Sequence, residues 1–339
     1  MFNFKNDYNY IGHENILNAL IKYQDQPNEV YGLDCHSNNA KDLIKKQLKN
    51  ENVDIHFIIG GTLVNKTVIS HILRPYEAVI CTNTGHINVH ETGAIESTGH
   101  KVLTVTNDNG KIKIEDIKKC VKIHTDEHMV LPKIVYISES TETGTVYSVD
   151  ELKELYDFCR KNKLYLFVDG ARLGVALATN LITLEDLAKY CDVFYIGGAK
   201  NGALLGEALV IVNDELKENF RFSIKQSGGM YSKGFVAGIQ FEELFKNDLF
   251  VNLGKNANEC TKYLHNELVK RGFAMQQECV TNQIFPIISN KVYEKMKELV
   301  LFELWEDLEE EKVIRLVCGF KTKKEEIDLF IKELDLILN

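Results

Sequence analysis

Short, unbroken apolar runs alternate along this chain with longer stretches whose apolar positions return every three or four residues. The runs fall at 55–59, 78–81, 101–105, 134–137, 164–168, 193–196 and 209–212. Each has the length of a strand, and they lack the polar alternation of a half-exposed one. Helical periodicity fills the gaps at about 62–73, 89–98, 114–123 and 148–161. The last of these has a start signal, Ser148 followed by Glu151, the spacing of a capping box. Strands buried on both faces and joined by helices predict an α/β fold, with a mainly parallel central sheet covered by helices.

Beyond residue 245 the texture changes. A long helical stretch at 253–270 is followed by strand patterns at 283–288 and 313–317. Thr322 and Glu325 repeat the capping-box spacing and open a final helix toward Leu336. The expected organisation is an N-terminal arm and short helix at 1–29, a large α/β domain at 30–245, and a smaller C-terminal α+β domain at 246–339.

Composition narrows the function classes. The chain has 339 residues, 45% apolar and 26% charged, as in ordinary globular proteins. A net charge of −9 argues against a nucleic-acid binder, which would carry a basic excess. No apolar run approaches the roughly 18–20 residues that span a bilayer. The first residues lack the apolar core of a secretion signal. A cytoplasmic protein with no membrane or nucleic-acid partner is therefore expected. The eight cysteines are scattered without a Cys-x-x-Cys pair, so buried reduced thiols and no metal site are expected. Only six of the 40 basic residues are arginine. Each is worth locating, because Arg offers a planar two-pronged fork that Lys lacks.

Ligands of parallel α/β sheets bind at the carboxyl ends of strands. The residues just after the strands are Gly60-Gly61-Thr62, Thr84-Gly85-His86, Glu139-Ser140-Thr141, Asp169-Gly170-Ala171-Arg172 and Gly197-Gly198-Ala199-Lys200. Gly61 and Thr62 open a helix whose first N–H groups can hold a phosphate, although the pair reads equally as a tight turn. No Gly-x-Gly-x-x-Gly or Walker pattern is present, which favours a small phosphorylated cofactor over a nucleotide. Asp169 ends a very apolar strand and needs a cationic or hydrogen-bonded partner, or it is a helix cap. Lys200 sits among small residues where an amine can become nucleophilic, or it is a surface lysine. A phosphate cradle, an acid for a pyridinium nitrogen and a lysine for a Schiff base are what pyridoxal 5'-phosphate requires.

At this point the residues carry a family resemblance. The chain resembles a threonine aldolase of the β-eliminating lyase group, within the pyridoxal-phosphate-dependent, aspartate-aminotransferase-like fold type I. The resemblance rests on Tyr31-Gly32-Leu33-Asp34, Gly61-Thr62 with Asn65, Gly85-His86-Ile87 with Glu91-Thr92-Gly93, Asp169-Gly170-Ala171-Arg172, Lys200, and Arg315-Leu316-Val317. It implies that Lys200 forms the Schiff base with pyridoxal 5'-phosphate. It also implies that Asp169 pairs with the ring nitrogen, that His86 stacks on the ring and that Gly61 and Thr62 hold the phosphate. Thr141 would lie beside the cofactor. Arg172, beside the cofactor, and Arg315 would bind the substrate carboxylate. The implied reaction is aldol cleavage of L-threonine or L-allo-threonine to glycine and an aldehyde. Another β-elimination or an amino-group exchange on the same scaffold is the alternative.

Three positions depart from the family pattern. Many relatives carry Arg-Ser-Asp near the start, where this chain has Lys5-Asn6-Asp7, so Asn6 is expected to help bind the carboxylate. Glu142 stands where relatives have a histidine that contacts the substrate hydroxyl, and is expected, with His86, as the candidate base. Tyr231 follows Gly228-Gly229-Met230 where relatives supply an arginine to the partner's phosphate, with Lys225 and Lys233 nearby. The resemblance implies a homodimer or homotetramer with shared active sites, the Tyr31 region and residues 228–233 crossing the interface.

Overall fold

The structure is a computed structural model and describes residues 1–107 and 109–338. Among them, the seven apolar runs become one seven-stranded sheet. After a two-residue β1 (Phe2–Asn3), its strands are β2 (Asp54–Ile58), β3 (Glu77–Thr82), β4 (Lys101–Val105), β5 (Leu131–Ser138), β6 (Tyr165–Asp169), β7 (Val193–Gly197) and β8 (Glu207–Ile211). Their order across the sheet is β2-β8-β7-β6-β5-β3-β4. The β7-β6-β5-β3-β4 pairings are parallel, whereas β8 runs antiparallel to both β7 and β2.

Unalternating strands result because both faces are covered. Along β3, Ala78 and Ile80 enter one core while Val79 and Cys81 enter the core on the opposite face. Along β6, Leu166 and Val168 face one way and Phe167 the other. Successive side chains of a strand point to opposite faces, so a doubly covered strand must be apolar at every position.

The helices follow the sequence with two informative exceptions. The Ser148 capping box forms on the helix Val149–Lys161, with both reciprocal bonds present. The helix expected at 89–98 does not form. A single turn, His86–Val89, is followed by left-handed backbone at Thr92 (φ 51°) and Gly93 (φ 70°) and a short 3-10 turn, Glu96–Thr98. That turn brings Glu91 back beneath His86. The Thr322 capping box is not made either. The Thr322 hydroxyl accepts from the Gly319 N–H instead, and the final helix runs Lys324–Leu338.

A second, antiparallel sheet lies toward the C-terminus. It comprises β9 (Ala274–Met275), β10 (Gln283–Ile284), β11 (Pro286–Ser289), β13 (Glu303–Asp307) and β14 (Glu311–Val317), with β12 (Val300–Leu301) pairing separately with β1. The run expected at 283–288 is thus two short strands. A third apolar core, including Leu264, Ile314 and Phe330, lies under this sheet. All eight cysteines are free and six are buried, and burial pushes the thiols of Cys81, Cys159, Cys191 and Cys318 up. Among the described residues no helix is long and apolar enough to cross a membrane.

Candidate active site

The parallel strands deliver their carboxyl ends to one rim. Ser138 and Asp169 are paired neighbours at the ends of β5 and β6, and Gly197 ends β7 beside them. Because β8 runs the other way, its first residue, Glu207, pairs with Gly197 and reaches the same rim. Ile58 pairs with Glu207 on the far side and leads into Gly60 and Gly61. A cavity of about 410 Å³ opens there, lined among others by Tyr8, Gly61, Thr62, His86, His90, Glu142, Arg172, Tyr195, Lys200, Glu207, Glu303 and Arg315.

Asp169 is 3% exposed and has four donors. They are the hydroxyls of Tyr136 and Tyr195, the Ala171 N–H at 2.9 Å and Asn65 Nδ2 at 3.1 Å. Burial works to raise its pKa, but His86 and the two tyrosine hydroxyls outweigh it and hold the carboxyl below its ordinary range. Asp169 is therefore a fixed buried anion.

His86 is held from both sides. Its backbone N–H donates to Glu142 Oε1 at 2.9 Å and its Nδ1 lies 2.8 Å from Glu91 Oε1. Glu91 Oε1 also accepts from Asn65 Nδ2 at 2.7 Å, which links His86 through Glu91 and Asn65 to Asp169. Ligand atoms of His86, Glu91 and Asp169 lie within 4.8 Å of one another, a spacing that could hold a metal ion, and these hydrogen bonds account for it. Glu142 Oε1 accepts from the Ser138 hydroxyl at 2.6 Å, and burial pushes its pKa up.

Lys200 faces Tyr8, its Nζ 5.9 Å from the ring centroid. Burial and the Arg172 charge lower its pKa, against the opposing pull of Asp7, Asp169 and Glu207. Arg172 shares the cavity, but its fork is taken. Nε and Nη2 donate to the two carboxylate oxygens of Asp7 at 2.8 and 3.1 Å. Arg315, on β14, donates to Gln283 Oε1 at 3.3 Å and to Glu303, and its Nε is buried without a partner among the described residues.

Two expected positions fall elsewhere. Asn6 does not line the cavity; its side-chain oxygen accepts the Tyr8 N–H at 3.2 Å, and Tyr8 is the arm residue that enters. Thr141 is fully buried and does not line the cavity, its hydroxyl bonded to those of Thr143 and Thr145 at 3.1 and 2.7 Å. A three-threonine hydrogen-bonded turn satisfies its polar atom without a ligand. Asp7, Asn65, Glu91, Tyr195 and Glu207 are site residues that spacing did not reveal, though Asn65 and Glu91 lie inside the motifs that carry the resemblance. Tyr31 and the stretch after Gly228 pack on each other outside this cavity. The Tyr31 N–H donates to Ser232 O at 2.9 Å, and Lys225 Nζ lies 5.3 Å from the Tyr31 ring.

The residues fit a phosphorylated pyridine aldehyde. The helix Gly61–Ile72 starts at the cavity with no side chain capping it, so its first N–H groups are free for an anion. A Cβ on Gly61 would lie 2.8 Å from the Tyr195 hydroxyl, so the cradle admits only glycine without a shift. One buried anion, Asp169, ends β6, and one amine whose pKa burial lowers, Lys200, follows the neighbouring β7.

The fold is of the aspartate-aminotransferase-like type. A Thermus thermophilus aspartate aminotransferase double mutant superposes with a TM-score of 0.72 at 13% identity, covering 99% of this chain and 91% of the other, a likeness of fold alone. A family model described as beta-eliminating lyase matches residues 14–291, and the chain belongs to that family of enzymes. Within it, a low specificity L-threonine aldolase of Pseudomonas sp. (strain NCIMB 10558) is 31% identical over 287 residues, 84% of this chain and 81% of the relative. The structure of Leishmania major threonine aldolase is 40% identical and superposes with a TM-score of 0.98 over 100% of both chains.

Proposed function

We propose that this chain cleaves the Cα–Cβ bond of small β-hydroxy-α-amino acids, L-threonine and L-allo-threonine among them, to glycine and an aldehyde. One observation carries the reading. Lys200, Arg172 and Arg315 line one cavity, with the Asp169 anion among the charges acting on Lys200, in a chain that resembles a threonine aldolase along its whole length.

Pyridoxal 5'-phosphate, when bound, supplies an electron sink for the pair released from the breaking bond. Lys200 would anchor its aldehyde carbon. The free N–H groups at Gly61 and Thr62 would hold the phosphate, and Asp169 would keep the ring nitrogen protonated. His86, its orientation set by Glu91, would pack against the ring. Arg315 would orient the substrate carboxylate, for which a guanidinium is the suited partner, and Arg172, its Nε and Nη2 held by Asp7, would add its charge and its remaining Nη1. The β-hydroxyl proton would pass to Glu142 or His86, which are joined by the bond between the His86 N–H and Glu142. Glu142 has its pKa raised by burial, toward the range in which a carboxylate is an effective base.

The patch formed by Tyr31 and residues 228–233 lies outside its own cavity, which supports a role in a partner's site within a homodimer or homotetramer. Eight free cysteines suit a reducing compartment and support a cytoplasmic location.

Product analysis tests the reading. Glycine and acetaldehyde should appear from L-threonine or L-allo-threonine, with loss of the lysine-bound cofactor band in Lys200→Ala. Ammonia with a keto acid, or amino-group exchange, would overturn it in favour of another reaction on this fold.

A further inference from the structure

Both guanidiniums in the candidate cavity already hold an acid. Arg172 grips Asp7 through Nε and Nη2, and Arg315 donates through Nη2 to Glu303. The other nitrogens of Arg315 are also committed. Nη1 donates to Gln283 Oε1 at 3.3 Å, and Nε is buried without a partner among the described residues, where a ligand cannot reach it. A substrate carboxylate arriving at Arg315 therefore competes with an acid already in place. Glu303 and Arg315 line the cavity together, so the contest takes place inside the site.

The two acids are not equally fixed. Asp7 is 1% exposed, makes two bonds to Arg172 and accepts a third from Asn282 Nδ2 at 2.9 Å. The Glu303 side chain is 32% exposed, and Arg315 is its one hydrogen-bond partner among the described residues. It sits on β13, which pairs with β14 alone, directly opposite Arg315 in the register. Opposite charges facing each other across two strands attract, but a partly exposed pair is weakly held. Arg315 has two supports that do not depend on Glu303. They are Gln283 and the ring of Trp305, whose centroid lies 5.6 Å from the guanidinium carbon.

We propose that Glu303 is a positioning residue that holds, in the substrate-free chain, the place on Arg315 that the substrate carboxylate takes, and that it yields that place to solvent when an amino acid binds. The step exchanges one ion pair for another and moves no proton or electron. Arg315 stays anchored by Gln283 and Trp305 throughout. Such a placeholder has a physical use. Burial and the Arg172 charge both work against the charged form of Arg315, and Glu303 is the first of the groups that favour it. The inference rests on Arg315 being the carboxylate-binding arginine of the proposed function.

The test uses the full-length chain loaded with pyridoxal 5'-phosphate. Glycine, the smallest amino acid with the same carboxylate, is titrated against the visible band, so the readout needs no turnover. Glu303→Gln removes the competing charge. The glycine Kd should fall about fivefold, the most that a partly exposed ion pair contributes. KM for L-threonine should fall with it, by more than kcat changes. Glu303→Ala should move both in the same direction. A glycine Kd that is unchanged or higher in Glu303→Gln would overturn the proposal and leave Glu303 a brace for Arg315. Should neither variant fold, a crystal structure of the unaltered, loaded chain with glycine decides. Glu303 parted from Arg315 supports the exchange, and an intact pair overturns it. Arg315→Lys tests the premise separately. It should raise the glycine Kd at least about tenfold, by loss of the planar fork. An unaltered Kd there would remove the premise and the proposal with it. Glycine binding that responds to Glu303→Gln in a chain that does not cleave L-threonine would overturn the proposed reaction and support the exchange.

Discussion

Arg172 and Asp7 lie 165 residues apart in the chain and form a buried two-pronged ion pair, with N···O distances of 2.8 and 3.1 Å. Asp7 is 1% exposed and also accepts from Asn282 Nδ2 at 2.9 Å, so it joins the arm, the rim of the large sheet and the C-terminal part of the chain at one point. Asp7→Ala leaves a buried guanidinium without its partner, which costs about 3–5 kcal/mol. Urea denaturation should show a loss of at least about 3 kcal/mol, and KM for the amino acid should rise as Arg172 loses its orientation. A loss below about 1 kcal/mol would mean that Arg172 finds another acceptor.

Gly61→Ala places a methyl group 2.8 Å from the Tyr195 hydroxyl, which cannot swing away without releasing Asp169. Cofactor affinity should fall at least about tenfold, roughly 1.4 kcal/mol, in a titration of the visible band. Gly60→Ala is the control. Its Cβ would meet nothing within 4 Å and its backbone is extended, so binding should stay within about twofold.

Tyr136→Phe removes one of the donors that hold Asp169 ionised. A hydrogen bond to a charged group contributes about 1.5–3 kcal/mol, so kcat should drop about ten- to hundredfold with the fold intact. Asp169→Asn should do more, since it removes the charge itself. Equal activity in Asp169→Asn and the parent would show that the ring nitrogen needs no anion.

Glu142→Gln and His86→Asn separate the two candidate bases. The one that takes the β-hydroxyl proton should slow cleavage by about 10²–10⁴. The other should change KM more than kcat. Unaltered cleavage in both variants would exclude both.

Glu207 has a signature in stability. Burial moves its carboxyl from near 4.5 when unfolded to about 8 when folded. A raised folded pKa means that its contribution is complete below pH 4.5 and is lost as pH rises to about 8. Asp7 and Asp169, with lowered values, act in the opposite sense: theirs is present above 3.8 and lost in acid. Thermal unfolding of the cofactor-free chain between pH 5 and 8 should therefore decline less steeply in Glu207→Gln than in the parent. Parallel curves would show that Glu207 is ionised throughout.

The local pattern by itself determined the α/β class, most strand positions and a rim populated by Gly61, His86, Asp169 and Lys200. It could do so because covered parallel strands must be apolar throughout, and because parallel strands collect their carboxyl ends at one edge. The same rule hid Glu207. Reading the last strand of the large sheet from Leu209 left Glu207 in a loop, and only the antiparallel pairing with Gly197 brings the amino end of β8 to the rim. The fork of Arg172 looked free because its acceptor sits on the N-terminal arm. Thr141 looked available because the hydroxyls that satisfy it lie on the turn it begins. Glu91 was placed inside a helix, whereas left-handed turns at Thr92 and Gly93 fold it under His86. Strand direction, long-range ion pairs and the partner of each buried polar atom are set by which segments meet in space. They leave no trace in residue spacing, and the tertiary structure alone decided them.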